Sequence, residues 1–417
     1  RIIFLTQIRN DFLPKFLAQP DIRPWLHQPG KMKPTDPSQY RSDDCLWFFN
    51  VIPAYLAETG DLNLLDRVIP YADQGAATVL GHLRRALEFN LERTGRNGLP
   101  CGLLADWNDC LKLGYKGESV FVTFQLRLGL KVYADLCLRT GHRAESEWAT
   151  AELAQLDQKI RKVCWNGNWF IWAIGADGTV YGTKHAREGQ IYLNTQCWAV
   201  ISGAATPEQT QKSLNAVKTQ LATKYGVAIC NPPFDKTSVN VMRAVLMNAS
   251  NKENGGIFSH TQSWVVLAEI LRGNGNQAYA YYRAFMPAAQ NNLAEIREIE
   301  PYVHCQSTHG KHSQKFGCSR IPWLSGTASW SYYTATQWIL GIRPELDGLR
   351  IDPCIPSHWK GFTLQRKFRG LTLHVRVRNT SRTCSGVRHL CVNGKQIAGN
   401  LIPVTMLSDG AQIDVVM

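Results

Sequence analysis

Two carboxylates flank a tryptophan in one short segment of the sequence. Asp106, Trp107 and Asp109 lie in a loop shortly before a helix. Acid-assisted cleavage of a glycosidic bond needs a protonated carboxyl group beside the leaving oxygen, and an indole offers a flat face to the sugar ring. Asp and Asn before a helix more often form turns or caps, and Glu118 in a first helical turn suits the helix dipole. The residue types alone therefore favour a structural role and leave catalysis as the alternative.

A second cluster places two glycines and a histidine before an amphipathic helix. Gly255 and Gly256 let the backbone approach a ligand closely, and they stand between Lys252 and His260. The start of a helix with a neighbouring cation is a natural anion site. A histidine that caps or packs against a helix entry is the more common arrangement, so an anion site is the alternative here as well.

A third cluster, Ser325 and Gly326, precedes another helix. Backbone N–H groups and a hydroxyl at such a place suit a phosphate, while simple capping of the helix is equally compatible with the sequence. Between the second and third clusters, Glu300, His304 and Gln306 belong to a polar and aromatic loop. This loop suits either the lining of a sugar cleft or a purely structural role.

The composition argues against several classes of protein. The formal net charge is +13, but Lys and Arg are spread along the 417 residues, which favours a diffuse surface charge or an anion site over a nucleic-acid partner. The twelve cysteines lack paired CxxC spacing, so reduced, buried thiols such as Cys137, Cys197 and Cys391 in a cytoplasmic protein fit best. We find no signal peptide, no apolar run of about 18 residues, no metal-ligand spacing and no glycine-rich nucleotide loop. The sequence therefore predicts no membrane contact, no metal and no cofactor.

Helical periodicity runs through most of the chain before residue 341. Apolar residues recur at steps of three and four in residues 80–91, 264–271 and 279–286. We predict further helices near residues 45–58, 118–140, 144–163, 189–203, 207–223 and 328–340. The long loops between helices carry the three clusters, which predicts a ring of helices with functional loops at one end. Residues 10–40 hold six prolines and little periodicity, so we expect an irregular loop there.

The pattern changes after Pro344. Apolar and polar residues alternate over residues 371–378, which is typical of a half-buried strand. Asn393-Gly394 and Asp409-Gly410 are hairpin turn pairs between apolar runs. We therefore predict a helical catalytic domain of residues 1–345 and a small β domain of residues 346–417.

The clusters together resemble the cellobiose and chitobiose phosphorylases of glycoside hydrolase family ninety-four. The matching segments, in order, are residues 41–47, 105–110 with 117–119, 252–260, 300–306, 325–330, and 339–344 with 349–356. The resemblance implies a mainly α fold, an (α/α)6 barrel of six helical hairpins followed by a C-terminal two-layer β domain of sandwich or jelly-roll-like form. It also implies further N-terminal domains and a homodimer for the full-length protein. Since the chain starts at Arg1, without Met and with a pattern typical of the middle of a helix, we expect a fragment that lacks one wall of its site.

The resemblance also implies a role for each matching residue. Asp109 resembles the general acid, Trp107 the sugar platform beside it, and Lys252 a sugar-contacting residue. His260, Ser325 and the Gly326 N–H resemble phosphate ligands. Further residues expected on the substrate side are Asp44, Glu118, Glu300, His304 and Gln306.

The reaction implied is inverting phosphorolysis of a β-1,4-linked disaccharide, with inorganic phosphate as a substrate and no cofactor. Phosphate is already an anionic nucleophile, so no catalytic base is needed. Asp109 must hold its proton near neutral pH, and we therefore expect burial and nearby negative charge to raise its pKa.

The acceptor sugar is less closely defined by the resemblance. Where cellobiose-specific relatives carry an acidic residue, spacing from His260 places Arg243, which suits a carboxylate and therefore cellobionic acid. A second lysine expected nearby is absent, since Met247 occupies that position, and Arg243 paired with a structural carboxylate is the alternative. Cellobionic acid and cellobiose are equally favoured, and chitobiose comes third. The sequence is also compatible with a hydrolase on the same fold or an inactive truncated copy, and a nucleic-acid binder is the least favoured class.

Overall fold

Helices form the frame of the chain up to residue 339. The computed structural model describes residues 41–71, 75–323 and 325–417, so the expectations for residues 10–40 and for the chain start lie outside the described residues. The helices are α1 Phe48–Thr59, α2 Val79–Glu92, α3 Val120–Arg139, α4 Arg143–Val163, α5 Leu193–Ile201, α6 Pro207–Gln220, α7 Ser259–Leu271, α8 Gly275–Phe285, α9 Ala294–Arg297 and α10 Thr327–Tyr333. A π-helical turn, Thr334–Ile339, continues α10.

The helices form where the sequence supplies both an apolar stripe and a starting cap. In α2 the stripe of Leu80, Leu83 and Leu87 is buried, and the Thr78 hydroxyl accepts a hydrogen bond from Gly81 N at 3.0 Å. In α6 the Thr206 side chain takes part in a reciprocal capping box. These cues confirm the predicted helices, whereas the closure of six hairpins into a barrel stays a prediction.

Aromatic side chains join the helices through a common core. Trp264 on α7 is fully buried, with its ring stacked on Trp47 at 6.1 Å and on Phe121 at 5.9 Å between centroids. Trp198 and Trp330 meet the same ring edge-on at 5.6 and 6.1 Å. Such pairs add about 1 kcal/mol each to the hydrophobic gain. These four tryptophans are therefore part of the buried core.

Short strands brace the loops between the helices. They are β1 Val68–Pro70, β2 Ala76–Thr78, β3 Cys101–Leu103, β4 Gly114–Ser119, β5 Ala173–Ile174, β6 Val180–Tyr181, β7 Ile191–Tyr192, β8 Ala222–Thr223, β9 Gly226–Val227, β10 Cys230–Asn231, β11 Ile257–Phe258, β12 Cys305–Thr308 and β13 Ser319–Pro322. The order β3-β4-β5-β6 builds one sheet, and β11-β12-β13 builds another. These two sheets hold the loops that contain the sequence clusters.

Strands replace helices from residue 342 onward. They are β14 Ile342–Glu345, β15 Gly348–Ile351, β16 Gly361–Phe368, β17 Leu371–Arg378, β18 His389–Val392, β19 Lys395–Gln396, β20 Leu401–Pro403 and β21 Gln412–Val416. They form a three-stranded sheet, β14-β15-β20, and a five-stranded sheet, β16-β17-β21-β18-β19. The division into domains at residue 345 stays a prediction.

The two hairpin predictions in this region have opposite outcomes. Asn393 and Gly394 both have positive φ, 48° and 81°, and join β18 to β19 as predicted. The hairpin prediction for Asp409-Gly410 is wrong, because the strands on either side belong to different sheets. The Asp409 carboxylate instead accepts a hydrogen bond from Thr372 N at 2.7 Å.

Two further predictions concern thiols and membranes. Cys137 and Cys197 are buried free thiols as predicted, and Cys391 is half-buried. Over residues 41–71, 75–323 and 325–417, every helix is too short or too polar to cross a bilayer.

Candidate functional site

The loop that carries Asp109 is shaped by two consecutive side-chain turns. The Asp106 carboxylate accepts a hydrogen bond from Asn108 N at 2.7 Å, and the Asn108 amide oxygen accepts one from Cys110 N at 3.0 Å. Asp and Asn favour such turns because their short side chains reach the backbone two residues ahead. The Asn108 Nδ2 also donates to the buried Tyr192 hydroxyl at 2.7 Å. These hydrogen bonds fix the conformation of the loop, and the Asp109 side chain lies on its outer side.

The two carboxylates of this loop have opposite surroundings. Asp106 is 2% exposed and accepts a hydrogen bond from Ser119 Oγ at 2.7 Å, and burial raises the pKa of its carboxyl group to about 6. The Asp109 side chain is 61% exposed and forms an ion pair with Arg41. The prediction that Asp109 is buried is therefore wrong, because the turn directs its side chain away from the core.

Arg41 links Asp109 to the segment of residues 41–44. That segment docks on the Asp109 loop through a hydrogen bond from Ser42 N to Ala105 O at 3.1 Å. Although burial opposes it, the charges of Asp109 and Asp44 raise the pKa of the Arg41 guanidinium. Asp44, which we predict to contact the substrate, is half-buried. It thus lies near the same guanidinium, that of Arg41, as Asp109.

Trp107 positions the imidazole of His260. Its Nε1 donates to His260 Nδ1 at 3.1 Å, which leaves the ring proton of a neutral imidazole on Nε2. A Cβ at Gly326 would lie 3.5 Å from that Nε2, so His260 faces the loop of the third cluster. Trp107 itself is only 9% exposed, and its ring packs edge-on against Trp264 at 5.1 Å. This burial differs from the open sugar platform expected from the sequence.

Ser325 hydrogen-bonds to Thr327, the first residue of α10. Its hydroxyl oxygen accepts a hydrogen bond from Thr327 N at 3.1 Å and also bonds to the Thr327 hydroxyl. Ser325 and Gly326 are both half-buried. The structure therefore places the predicted phosphate residues His260, Ser325 and Gly326 side by side.

The loop of residues 248–256 brings a carboxylate that the sequence did not single out. Glu253 accepts a hydrogen bond from Cys110 N at 3.3 Å, directly after Asp109 in the chain. Burial first, and then the charges of Asp109 and Asp106, raise the pKa of its carboxyl group to about 7. Its neighbour Lys252 adopts a positive φ of 44°. The only signal for Glu253 in the sequence was its place beside Lys252 in the matching segment.

Arg243 also lies beside the Asp109 loop. Its backbone N–H donates to Cys110 O at 2.8 Å, and its side chain is exposed. Burial and the charge of Arg243 lower the pKa of the Lys112 ammonium, whose Nζ donates to Leu104 O at 3.1 Å. The structure therefore supplies a second cation near Arg243, although not at Met247, where the sequence led us to expect it.

Glu118 does not belong to this group. It lies in β4 instead of a first helical turn, and it is fully buried. Its carboxylate accepts hydrogen bonds from Asn97 N at 2.8 Å, Asn97 Nδ2 at 2.7 Å and Leu99 N at 3.1 Å. Both of its oxygens thus bond to the loop of residues 95–99, and its contact with substrate stays a prediction.

The remaining predicted residues are Glu300 and His304, in the loop that leads into β12, and Gln306, in β12 itself. Glu300 is exposed and accepts a hydrogen bond from Trp323 Nε1 at 3.3 Å. His304 is half-buried, and burial together with the charge of Arg297 lowers its pKa to about 4, so its imidazole is neutral at pH 7. The Oε1 of Gln306 is buried without a hydrogen-bond donor from the part of the chain that the structure describes. Gln306 is therefore the best placed of the three to accept a hydrogen bond from a ligand.

The raised pKa of Glu253 predicts that the stability of the folded chain depends on pH. Its pKa in the folded chain is about 7, above the ordinary 4.5, so between these values the folded state binds a proton that the unfolded state lacks. The contribution of Glu253 to the free energy of unfolding therefore falls as pH rises from 4.5 through 7. We expect urea unfolding to show that the wild type loses about 2 kcal/mol more than Glu253→Gln between about pH 5 and pH 8.

The exposed Glu147 on α4 offers a matched control. Glu147→Gln should retain the pH dependence of the wild type. Parallel stability curves for Glu253→Gln and the wild type would contradict the raised pKa of Glu253.

The matches to family models and to known relatives agree with one another. Residues 9–341 match the family described as glycosyl hydrolase 94 superfamily, catalytic domain, and residues 342–387 match the C-terminal domain of glycosyl hydrolase family 65. The chain is 37% identical to an N,N'-diacetylchitobiose phosphorylase of Vibrio proteolyticus, over 90% of this chain and 47% of the relative. It is 30% identical to a cellobionic acid phosphorylase of Neurospora crassa, over 81% of this chain and 44% of the relative. The chain thus spans about half the length of these relatives.

The fold of the chain also resembles part of a solved structure. The family 78 rhamnosidase of Bacillus sp. GL1 superposes with a TM-score of 0.53 over 82% of this chain and 32% of that chain, at 14% identity. At this identity the likeness concerns the fold alone. The family match, in contrast, covers most of the chain and includes all three sequence clusters. The chain therefore belongs to the glycosyl hydrolase 94 superfamily.

Proposed function

We propose that the protein carries out inverting phosphorolysis of a β-1,4-linked disaccharide and releases α-glucose 1-phosphate. One observation carries the proposal. The hydrogen bond from Trp107 Nε1 to His260 Nδ1 joins the loop that presents Asp109 to the histidine that faces Gly326. The residue that we propose as proton donor and the residues that we propose as anion site thus lie on directly connected elements. Relatives named as phosphorylases of different disaccharides support the reaction class.

In this mechanism Asp109 donates a proton to the glycosidic oxygen while phosphate attacks the anomeric carbon from the opposite face. The bond between the anomeric carbon and the acceptor oxygen breaks, and a bond to a phosphate oxygen forms with inversion. His260 Nε2–H, the Ser325 hydroxyl and the Gly326 N–H orient the phosphate. Arg41 separates from Asp109 when the carboxyl group takes up its proton.

The transferred sugar is bound by the polar groups around this centre. We propose Lys252 and Gln306 as sugar ligands, since Gln306 Oε1 is a buried acceptor and Lys252 adjoins Glu253 in the loop that contacts Cys110. We propose Asp44 as a further sugar ligand, because it lies near Arg41. His304 and Glu300 lie further along the loop, beside Trp323.

For the acceptor we propose an acidic sugar, the gluconate unit of cellobionic acid. Arg243 and Lys112 place two cations beside the Asp109 loop, and two cations in one place favour a carboxylate over a neutral hydroxyl group. Release of gluconate then accompanies glucose 1-phosphate. Cellobiose and chitobiose are the alternative substrates.

This acceptor assignment predicts a change of preference in Arg243→Gln. We expect the ratio of kcat/KM for cellobionic acid over cellobiose to fall about tenfold, since one charge-assisted hydrogen bond is lost. Arg388→Gln, which removes an exposed arginine directly before β18, should leave the ratio unchanged. An unchanged ratio in Arg243→Gln would remove the basis for an acidic acceptor without affecting the phosphorolysis proposal.

The anomer of the product tests the reaction class itself. Proton NMR of the first turnovers should show α-glucose 1-phosphate, because an inverting attack on a β-linkage gives the α-anomer. Formation of β-glucose 1-phosphate would contradict the proposal. For the whole protein we also propose a closed (α/α)6 barrel, a homodimer and a cytoplasmic location, on the strength of the family resemblance.

A further inference from the structure

A cavity lies apart from the site built around His260. It has a volume of about 450 Å³ and is bounded by Asn248 and Asn251 on one side and by the loop after β12 on the other. At the near end of β12, Cys305 contacts Ser259, the residue before His260, through a 3.4 Å hydrogen bond. The cavity lies beyond the opposite end of the strand, where residue 309 begins the loop. It is thus distinct from the proposed phosphate site.

A buried histidine holds an arginine in the wall of this cavity. His309 is 7% exposed, its Nε2 accepts a hydrogen bond from Arg320 Nε at 3.1 Å, and its Nδ1 donates to Ser313 Oγ at 2.8 Å. Burial and the charges of Arg320 and Lys315 lower the pKa of His309, so the imidazole is neutral at pH 7. An arginine oriented by an uncharged acceptor keeps its whole positive charge for another partner.

A lysine adds a second positive charge to the same wall. Lys315 is exposed and lines the cavity. Neither its ammonium group nor the terminal nitrogens of Arg320 hydrogen-bond to residues 41–71, 75–323 or 325–417. Glu298 is the nearby counter-charge, and its carboxylate accepts a hydrogen bond from Cys318 Sγ at 3.1 Å. Two cations thus face one carboxylate, which leaves the wall positive.

We propose that this cavity binds a sugar monophosphate. The guanidinium of Arg320 and the ammonium of Lys315 suit a phosphate dianion. The side-chain amides of Asn248, Asn251 and Gln314, all in the lining, supply the mixed donors and acceptors that sugar hydroxyl groups need. The volume is within the range of small-ligand sites. This inference goes beyond the proposed phosphorolysis and does not depend on it.

Isothermal titration calorimetry with glucose 6-phosphate tests the proposal. This probe is neither substrate nor product of the proposed reaction, so the outcome is independent of phosphorolysis. We expect one bound glucose 6-phosphate per chain in the wild type, and a dissociation constant raised about tenfold in Lys315→Gln and in Arg320→Gln. Lys311→Gln is the matched control, because it removes a charge from the same loop while Lys311 Nζ points to Gln220 O at 3.5 Å.

Three results would overturn the proposal. The first is a dissociation constant unchanged in Lys315→Gln, an exposed substitution that should not disturb folding. The second is equal weakening in Lys311→Gln, which would indicate a general surface charge effect. The third is inorganic phosphate bound as tightly as glucose 6-phosphate, which would leave no role for the sugar.

Discussion

Asp109→Asn should lower kcat for phosphorolysis of the preferred disaccharide by about a thousandfold, the middle of the range for loss of a general acid. Asparagine keeps the shape of the side chain but has no proton to give to the glycosidic oxygen. The substitution should fold normally, because the Asp109 side chain is 61% exposed and the turn depends on Asp106 and Asn108. Steady-state release of glucose 1-phosphate gives the measurement.

Substrates with different leaving groups distinguish a proton-donating role of Asp109 from a positioning role. With an activated aryl β-glucoside, whose phenolate departs without protonation, Asp109→Asn should recover most of the lost rate. Asp135→Asn is the control, because Asp135 is an exposed aspartate paired with an arginine, Arg139, elsewhere on the surface. An equal loss of rate with both kinds of leaving group would show that Asp109 is not the acid.

His260→Ala should lower kcat/KM for phosphate by about a hundredfold while the KM for the disaccharide changes little. The expected loss corresponds to one charge-assisted hydrogen bond to the phosphate, on the order of 3 kcal/mol. The reason is geometric, since Trp107 fixes the His260 ring so that Nε2 faces Gly326. Initial rates at varied phosphate and saturating disaccharide give the measurement.

Two further variants sharpen this prediction. Trp107→Phe removes the hydrogen bond that orients the His260 ring, so it should raise the KM for phosphate by a smaller factor. His389→Ala removes an exposed histidine from the C-terminal sheet and should change neither constant. A KM for phosphate unaffected in His260→Ala would place the anion site elsewhere.

The sequence identified the segments of the candidate site more reliably than the surroundings of their side chains. Asp109 could be selected because two carboxylates and an indole occupy one short loop. Its exposure could not, because it depends on a turn built by neighbouring side chains and on Arg41, which is 68 positions away in the chain. Glu253 could not be selected for a similar reason, since its contact with Cys110 spans 143 positions. Local chemistry is visible in a sequence, whereas contacts between distant loops are not.

The turns illustrate the same limit for the fold. Asn393-Gly394 made the predicted hairpin because both residues accept positive φ and the adjoining strands pair directly. Asp409-Gly410 has the same local character, but β20 and β21 join different sheets. Likewise, Glu118 follows a helix-starting pattern yet pairs in β4 with β3, where its buried carboxylate is needed to hold residues 97 and 99.

The most direct test of the central proposal is the release of glucose 1-phosphate from cellobionic acid, cellobiose and chitobiose, each with and without inorganic phosphate. We predict release that requires phosphate, is fastest with cellobionic acid and is lost in Asp109→Asn. Sugar release that is equally fast without phosphate would contradict phosphorolysis and indicate a hydrolase. A folded protein that releases no product from any of the three would contradict it too and indicate an inactive copy.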